Sequence, residues 1–136
     1  MNRLPGIIDK IQQSGAILLV DVKVENQLFS ALLIESTIQP EWLSEGQLVD
    51  VAFKETEVSL AKNLSGQIST RNRMKCTILE INRGDLLSKV KLNYRNQTIY
   101  SAITTRAVDA LQLMKGDEVE ALLKSNEVSL MKKSDR

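Results

Sequence analysis

Apolar and polar residues alternate with a period of two through much of the chain. Val20, Val22 and Val24 alternate with Asp21, Lys23 and Glu25, as Val90, Leu92 and Tyr94 alternate with Lys89, Lys91 and Asn93. This spacing predicts strands with one buried face. Asn26-Gln27 and Asn96-Gln97 come next, where a tight hairpin turns, because asparagine tolerates positive φ. Leu28 to Ile34 and Thr98 to Thr104 are the predicted return strands. A short helical turn should follow, capped by Ser36 or Thr37 and by Thr104 or Thr105. Val108, Leu111 and Leu113 make one side of it apolar, and Gly46 or Gly116 stops it. Leu48 to Phe53 and Val58 to Lys62, then Glu118 to Lys124 and Val128 to Lys132, read as the closing strands.

These pairs of elements arise from a duplication. A shift of 70 positions without a gap places Asn2-Arg3 on Asn72-Arg73, Ile8 on Ile78, Val20 on Val90 and Gly46 on Gly116. The same shift places Glu57-Val58-Ser59-Leu60 on Glu127-Val128-Ser129-Leu130 and Lys62 on Lys132. Two modules are therefore predicted, 1–66 and 67–136, joined by the short connector Asn63-Leu64-Ser65-Gly66-Gln67-Ile68. Five strands with a short helix before the fourth suggest an all-β module of the OB type, a small five-stranded barrel. Alternation alone also allows an SH3-like barrel or two packed sheets.

Composition narrows the function. The chain has 136 residues, 43% of them hydrophobic, and no apolar run approaches the ~18 residues of a membrane span. With no histidine and one cysteine, Cys76, it lacks the usual ligands of zinc and copper sites and the His-based nucleophile arrangements. Neither paired carboxylates nor a phosphate-cradling glycine loop stands out, so the expected class is a binding protein, not an enzyme, with no metal site. The lone cysteine and the absence of a secretory h-region point to the cytoplasm.

The net charge of +1 hides an asymmetry: residues 1–66 carry 5 basic and 9 acidic side chains (−4), and residues 67–136 carry 13 and 8 (+5). An anionic ligand is expected for the second module. Ser69-Thr70-Arg71-Asn72 opens that module with hydroxyls, a guanidinium and backbone N–H groups. Thr104 stands where the helix begins, and Lys124-Ser125 lies at the turn between the last two strands. Each also has a plainer role: connector residues, a helix cap, a strand-end charge. The first module supplies an internal control, because it has Ile34 in place of Thr104 and Glu55 in place of Ser125. A hydroxyl is lost there and a carboxylate gained, so that half is expected to be structural.

Ser69-Thr70-Arg71-Asn72 resembles the Ser-Ala-Arg-Asn signature of the molybdenum-binding Mop modules, also called TOBE domains. Ala102-Ile103-Thr104, the segment from Leu111 to Val119 and Ala121-Leu122-Leu123-Lys124-Ser125 resemble that family's segments in order. Leu4-Pro5-Gly6-Ile7-Ile8 is similar to the degenerate module of molybdate-responsive regulators. Thr70 and Cys76 depart from the pattern, standing where alanine and glycine are usual. The resemblance implies two tandem Mop modules that bind molybdate or tungstate for storage, buffering or sensing. It assigns Ser69, Thr70, Arg71, Asn72, Thr104, Lys124 and Ser125 to oxyanion contacts. It further implies sites at subunit boundaries, the Ser69–Asn72 segment of one chain meeting the Lys124 turn of another, and hence a homo-oligomer; the degenerate first module favours a dimer over a trimer. Two alternatives are a docking module for a molybdate importer or another protein, with Trp42 as anchor, and a single-strand nucleic-acid binder. The latter is disfavoured by 4% aromatic residues, too few for a stacking platform.

Overall fold

A computed structural model describes residues 1–34 and 39–133. It contains ten strands: β1 (Asn2–Ser14), β2 (Ile17–Val24), β3 (Gln27–Ile34), β4 (Leu48–Phe53), β5 (Ser59–Ala61), β6 (Asn72–Asn82), β7 (Leu87–Tyr94), β8 (Gln97–Thr104), β9 (Glu118–Leu123) and β10 (Ser129–Lys132). One α-helix, α1 (Thr105–Ala110), precedes β9, and 3-10 turns at Glu55–Glu57 and Ser125–Glu127 precede β5 and β10. The predicted all-β class is correct. A helix before the fourth strand is present only in the second half among the described residues. Residues 41–46 form turns, and the predicted caps Ser36 and Thr37 lie outside the described residues.

The two sheets have the orders β10-β4-β1-β2-β3 and β5-β9-β6-β7-β8. The last strand of each half therefore pairs in the other half's sheet: Ser59–Ala61 against Leu122–Glu120, and Ser129–Lys132 against Ala52–Val49. The compact units differ accordingly from the repeat halves. The first comprises Met1–Asn2 with Lys54–Leu123, and the second Arg3–Phe53 with Lys124–Arg136. In the first unit β5 approaches β8 as well as β9, which brings the sheet towards a closed barrel. Ser101 donates its hydroxyl to the Val58 carbonyl at 2.6 Å, and Val58 is 1% exposed. Lys62 donates to the carbonyls of Leu111 and Gln112 and to Asp117 at 3.1–3.3 Å, so the incoming segment also caps the C-terminus of α1.

Both hairpins turn one residue earlier than the sequence suggests. Val24 pairs with Gln27 and Tyr94 with Gln97, which leaves Glu25-Asn26 and Arg95-Asn96 as the loops. Arg95 and Asn96 both have positive φ, 48° and 66°, as a primed two-residue turn requires. The end of α1 was also expected elsewhere. Gln112 takes the left-handed conformation (φ 50°), its N–H reaching Asp109 O and that of Leu113 reaching Val108 O, a Schellman arrangement without glycine. Gly116 (φ 92°) instead turns the chain into β9 and donates to Ile78 O at 2.8 Å, just as Gly46 (φ 87°) donates to Ile8 O. Those carbonyls precede matching register shifts, between Ile78 and Glu80 in β6 and between Ile8 and Lys10 in β1, where an extra residue bends the strand.

The two cores repeat one another. Leu4, Ile8, Val20, Val22, Phe29 and Val51 fill the second unit, and Met74, Ile78, Val90, Leu92, Ile99 and Ala121 the first. Cys76 is buried, its thiol pushed up to about 12 by desolvation, so it is a packing residue with little thiolate. Its duplicate is Gly6, where an added Cβ would stand 2.6 Å from Val22 Cγ1 and 3.1 Å from the Lys23 carbonyl. Gly6→Ala should therefore cost about 1–3 kcal/mol by overpacking, measurable as a lower midpoint in urea with unchanged slope.

Candidate functional site

The loop from β5 to β6 delivers Ser69, Thr70 and Arg71 to one end of β6. Ser69 and Arg71 are exposed and Thr70 is half-buried. The Arg71 guanidinium folds back on its own loop, its Nε donating to Ser69 O at 3.1 Å and an Nη to Ile68 O. Two of its N–H groups are thereby spent on holding the loop, and the others remain to donate. Asn72, expected among the ligand contacts, is 0% exposed and opens β6 opposite Leu123. Its duplicate Asn2 shows what an asparagine does here: Nδ2 donates to Tyr100 O at 2.9 Å and Oδ1 accepts from Tyr100 N at 2.8 Å. A buried amide has to be satisfied by partners in the protein, and burial leaves Asn72 less open to a ligand than Ser69 or Arg71.

The pair Asn72↔Leu123 is the last of the β6–β9 ladder. Arg71 precedes one member and Lys124 follows the other, so both leave the same end of one ladder in one chain. Lys124 is exposed and begins the segment that continues into the second compact unit. It precedes the 3-10 turn Ser125–Glu127, where Glu127 N donates to Lys124 O at 3.0 Å. Among the described residues no carboxylate lies within 4 Å of Lys124 or Arg71. In the first compact unit the matching turn carries Glu55, which pairs with Lys89 at 3.2 Å and with the N-terminal ammonium at 3.9 Å.

Thr104 lies at the other end of the same sheet. It closes β8 opposite Leu87, whereas the far end of β6, Asn82, pairs with Lys89. Some ten residues of β6, about 30 Å of chain if it were straight, separate the two ends. Thr104 caps α1, its Oγ1 accepting from Ala107 N at 3.1 Å, and its own O–H stays available to donate. Next to it, Thr105 is buried and bonded to Ser88 Oγ and Gly84 O, each at 2.8 Å. An open groove of about 530 Å³ at this end is lined by Arg83, Asp85, Thr104, Arg106 and Asp109, among others. Arg83 holds Asp109 bidentately at 2.6 and 2.9 Å, which keeps the Asp109 carboxyl below its usual range. Arg106 is exposed with no carboxylate within 4 Å among the described residues. Nothing in the sequence singles Arg106 out, because an exposed cation in the first turn of α1 belongs to no motif.

Two further carboxylates brace this unit. Arg73 holds Glu120 through two 2.8 Å bonds, and Asp117 accepts from Met114 N at 2.9 Å and from Lys62 at 3.1 Å. These bonds depress both carboxyls, chiefly the Arg73 pair for Glu120 and the Met114 N–H for Asp117. A carboxyl depressed in the folded state adds stability that is present above its unfolded pKa and lost as pH falls through its folded pKa. Thermal stability should therefore drop as pH falls from about 5 to 3, with Asp117→Asn flattening the profile; scanning calorimetry across that range checks it.

Among the described residues no cluster of His, Cys, Asp and Glu could hold a metal ion, and no helix is long and apolar enough to cross a membrane. Trp42, the candidate anchor of the docking alternative, is half-buried.

The TOBE domain profile matches residues 68–130. The molybdenum import ATP-binding protein ModC of Brucella abortus (strain 2308) is 34% identical over 90 residues, covering 58% of this chain and 25% of its own length. The chain thus spans about a quarter of that importer protein. A crystal structure of the cytoplasmic molybdate-binding protein ModG superimposes with a TM-score of 0.91 at 24% identity, covering 97% of this chain and 96% of the other. A molybdate-binding protein from Sporomusa ovata, 36% identical, covers 49% of this chain and 100% of its own at a TM-score of 0.48. ModG's fold is thus shared along nearly the whole chain, whereas the profile falls on the half that carries the Ser69–Asn72 segment and the Lys124 turn. Residues 68–130 are thus the stretch in which this chain matches the TOBE domain.

Proposed function

We propose that the protein binds a tetrahedral oxyanion, molybdate or tungstate, and serves its storage, buffering or sensing in the cytoplasm. The observation that carries this reading is the end of the β6–β9 ladder, where Arg71 and Lys124 flank the terminal pair Asn72↔Leu123 with no carboxylate of the described residues within 4 Å of either. A dianion leaving water needs positive charge and several inward donors. Arg71 and Lys124 supply the charge, and Ser69, Thr70 and Ser125 add hydroxyls that can rotate to suit the oxygens. The names of ModC and ModG, both concerned with molybdenum or molybdate, support this choice of anion.

In this reading Thr104 belongs to the site of another copy. It stands at the far end of the sheet from Arg71, so one chain does not bring the whole set together by register. A second chain presenting its Thr104 end, with Arg106 beside it, to the Arg71–Lys124 end of the first completes the donor set. A homo-oligomer, in its simplest form a dimer, follows. The first module contributes no second site, because Ile34 and Glu55 replace the hydroxyls there. The test is thermal unfolding with molybdate, tungstate, sulfate and phosphate in turn. Stabilisation by the first two alone is the expected result, and no shift with any of them would overturn the proposal.

A further inference from the structure

Each half of the chain has a turn made of a lysine and a following 3-10 helix, Lys54 with Glu55–Glu57 and Lys124 with Ser125–Glu127. The 70-residue shift sets one turn on the other, and their backbones agree: Lys54 and Lys124 have φ of −75° and −69° and ψ of 144° and 148°. Glu57 matches Glu127, and Thr56 and Asn126 are both uncharged. The residue after the lysine differs in kind, a carboxylate at Glu55 against the hydroxyl of Ser125.

In the first compact unit the Glu55 carboxylate faces a cation that the duplicate lacks. Lys89 Nζ stands 3.2 Å from Glu55 Oε1, and the position matching Lys89 is Leu19. Carboxylate and cation therefore occur together in one unit, and both are replaced at the duplicate positions. Their surroundings hold them in place. Lys89 lies over the Tyr100 ring, its Nζ 4.7 Å from the centroid, and the Tyr100 backbone is tied at N and O to the Asn2 amide. The turn itself is anchored on β8 by the Ser101 bond to Val58 O. The Lys89 and Glu55 side chains are 49% and 25% exposed, and an ion pair of that exposure adds little to stability. Its larger consequence is for anions, because it neutralises the ammonium and sets a fixed negative charge at the turn.

We propose that the Lys54 turn with Lys89 is a second anion site whose occupant is the chain's own Glu55 carboxylate. A carboxylate and a tetrahedral oxyanion offer an ammonium the same thing, oxygens that share negative charge. An arriving dianion is repelled by Glu55 and finds Lys89 already taken, so the site stays closed. With serine in that place, as in the duplicate, the turn would present Lys54, a hydroxyl and a Lys89 freed of Glu55. The choice of molybdate as the anion rests on the oxyanion reading above, whereas the closure by Glu55 rests on the ion pair and the duplicate turn.

The experiment is equilibrium dialysis of the full chain against molybdate at low salt, with bound molybdenum per chain counted by elemental analysis. Glu55→Ser should bind about one molybdate per chain more than the wild type, roughly tenfold more weakly than the first, since Ile34 has no hydroxyl to match that of Thr104. Glu55→Ala, which also removes the carboxylate, should show a gain too, and circular dichroism melting confirms that each variant is folded. Adding Lys89→Ala to Glu55→Ser should cancel the gain, while Lys89→Ala alone should leave the wild-type count unchanged. The added molybdate should persist in Arg71→Ala with Glu55→Ser, which separates this site from the ladder end. No binding by the wild type with a gain in Glu55→Ser would overturn the ladder-end reading and support this one. An unchanged count in folded Glu55→Ser and Glu55→Ala, or an added molybdate that persists without Lys89, would overturn the proposal.

Discussion

Replacing Arg71 with alanine should abolish the stabilisation by molybdate while leaving the apo protein close to its wild-type melting temperature. At a ligand concentration of about 100 Kd, binding to the folded state alone adds about 2.7 kcal/mol. For a chain of this length that is a rise in Tm of roughly 10 °C, taking about 3–5 °C per kcal/mol. Arg71 is exposed, and the bonds it would lose are those to the carbonyls of Ser69 and Ile68 in its own loop. Both bonds are exposed, so water takes the guanidinium's place at those carbonyls and the net loss stays below the ~1 kcal/mol of a typical intramolecular bond. Lys124→Glu should behave alike through charge, placing a carboxylate where the first module has none at its matching lysine, Lys54. Differential scanning fluorimetry with molybdate and sulfate is the measurement. If Arg71→Ala kept the full molybdate shift, the ladder-end site would be refuted. Asn72 offers the contrast: Asn72→Ala should lower the Tm of the apo protein itself, because the residue is buried at the start of β6.

The second large effect concerns the exchanged strands. Cut at the repeat boundary, residues 1–66 would lack β10 and residues 67–136 would lack β5, so each fragment should be largely unfolded alone and the two should regain β structure when mixed. The arithmetic is local and severe. Without β5 the first unit loses the partner of β9 from Ser59 to Ala61, the apolar Val58, the Ser101–Val58 bond and the Lys62 cap on α1. Burial of a valine-sized side chain alone is worth about 1.5–3 kcal/mol, each net hydrogen bond about 1 kcal/mol, and a domain of this size has only about 5–15 kcal/mol in all. Far-ultraviolet circular dichroism of the separate and mixed fragments decides the matter. Two fragments that fold independently, with sharp transitions and no gain on mixing, would show that the exchange contributes little.

Much of this architecture was legible from local pattern. The alternation of Val20, Val22 and Val24 and of Val90, Leu92 and Tyr94 placed two strands, β2 and β7, and all six residues are buried. The hairpin loops begin one residue before Asn26 and Asn96, because Glu25 and Arg95 already have positive φ. That conformation is uncommon outside glycine, asparagine and aspartate, so nothing in Glu or Arg announces it. Gln112 hid the end of α1 in the same way, while Gly116 drew attention to a turn that serves the bulge in β6. Of the candidate ligand residues, the hydroxyls and cations were visible as chemistry, yet their distances along the sheet were not. Asn72 looked like a donor among donors; only packing shows it to be buried.

The duplication, the all-β class, most strands with their inner faces, and the charge contrast between the halves are written in the order of residues along the chain. All of these are carried by residues within a strand or by a fixed shift of 70 positions. The tertiary structure alone decided which sheet each last strand joins, and therefore that the compact units cross the repeat boundary. Glu57-Val58-Ser59-Leu60 and Glu127-Val128-Ser129-Leu130 are identical and the paired stretches differ only where Ala61 stands for Met131, so the two strands present nearly the same side chains to either sheet. Local preference hardly distinguishes two such similar strands. The choice rests on contacts made at a distance, such as Lys62 on the end of α1 and Ser101 on Val58. The same long-range pairing put Arg71 and Lys124 at one end of a ladder and Thr104 at the other, because register joins residues that the sequence keeps far apart.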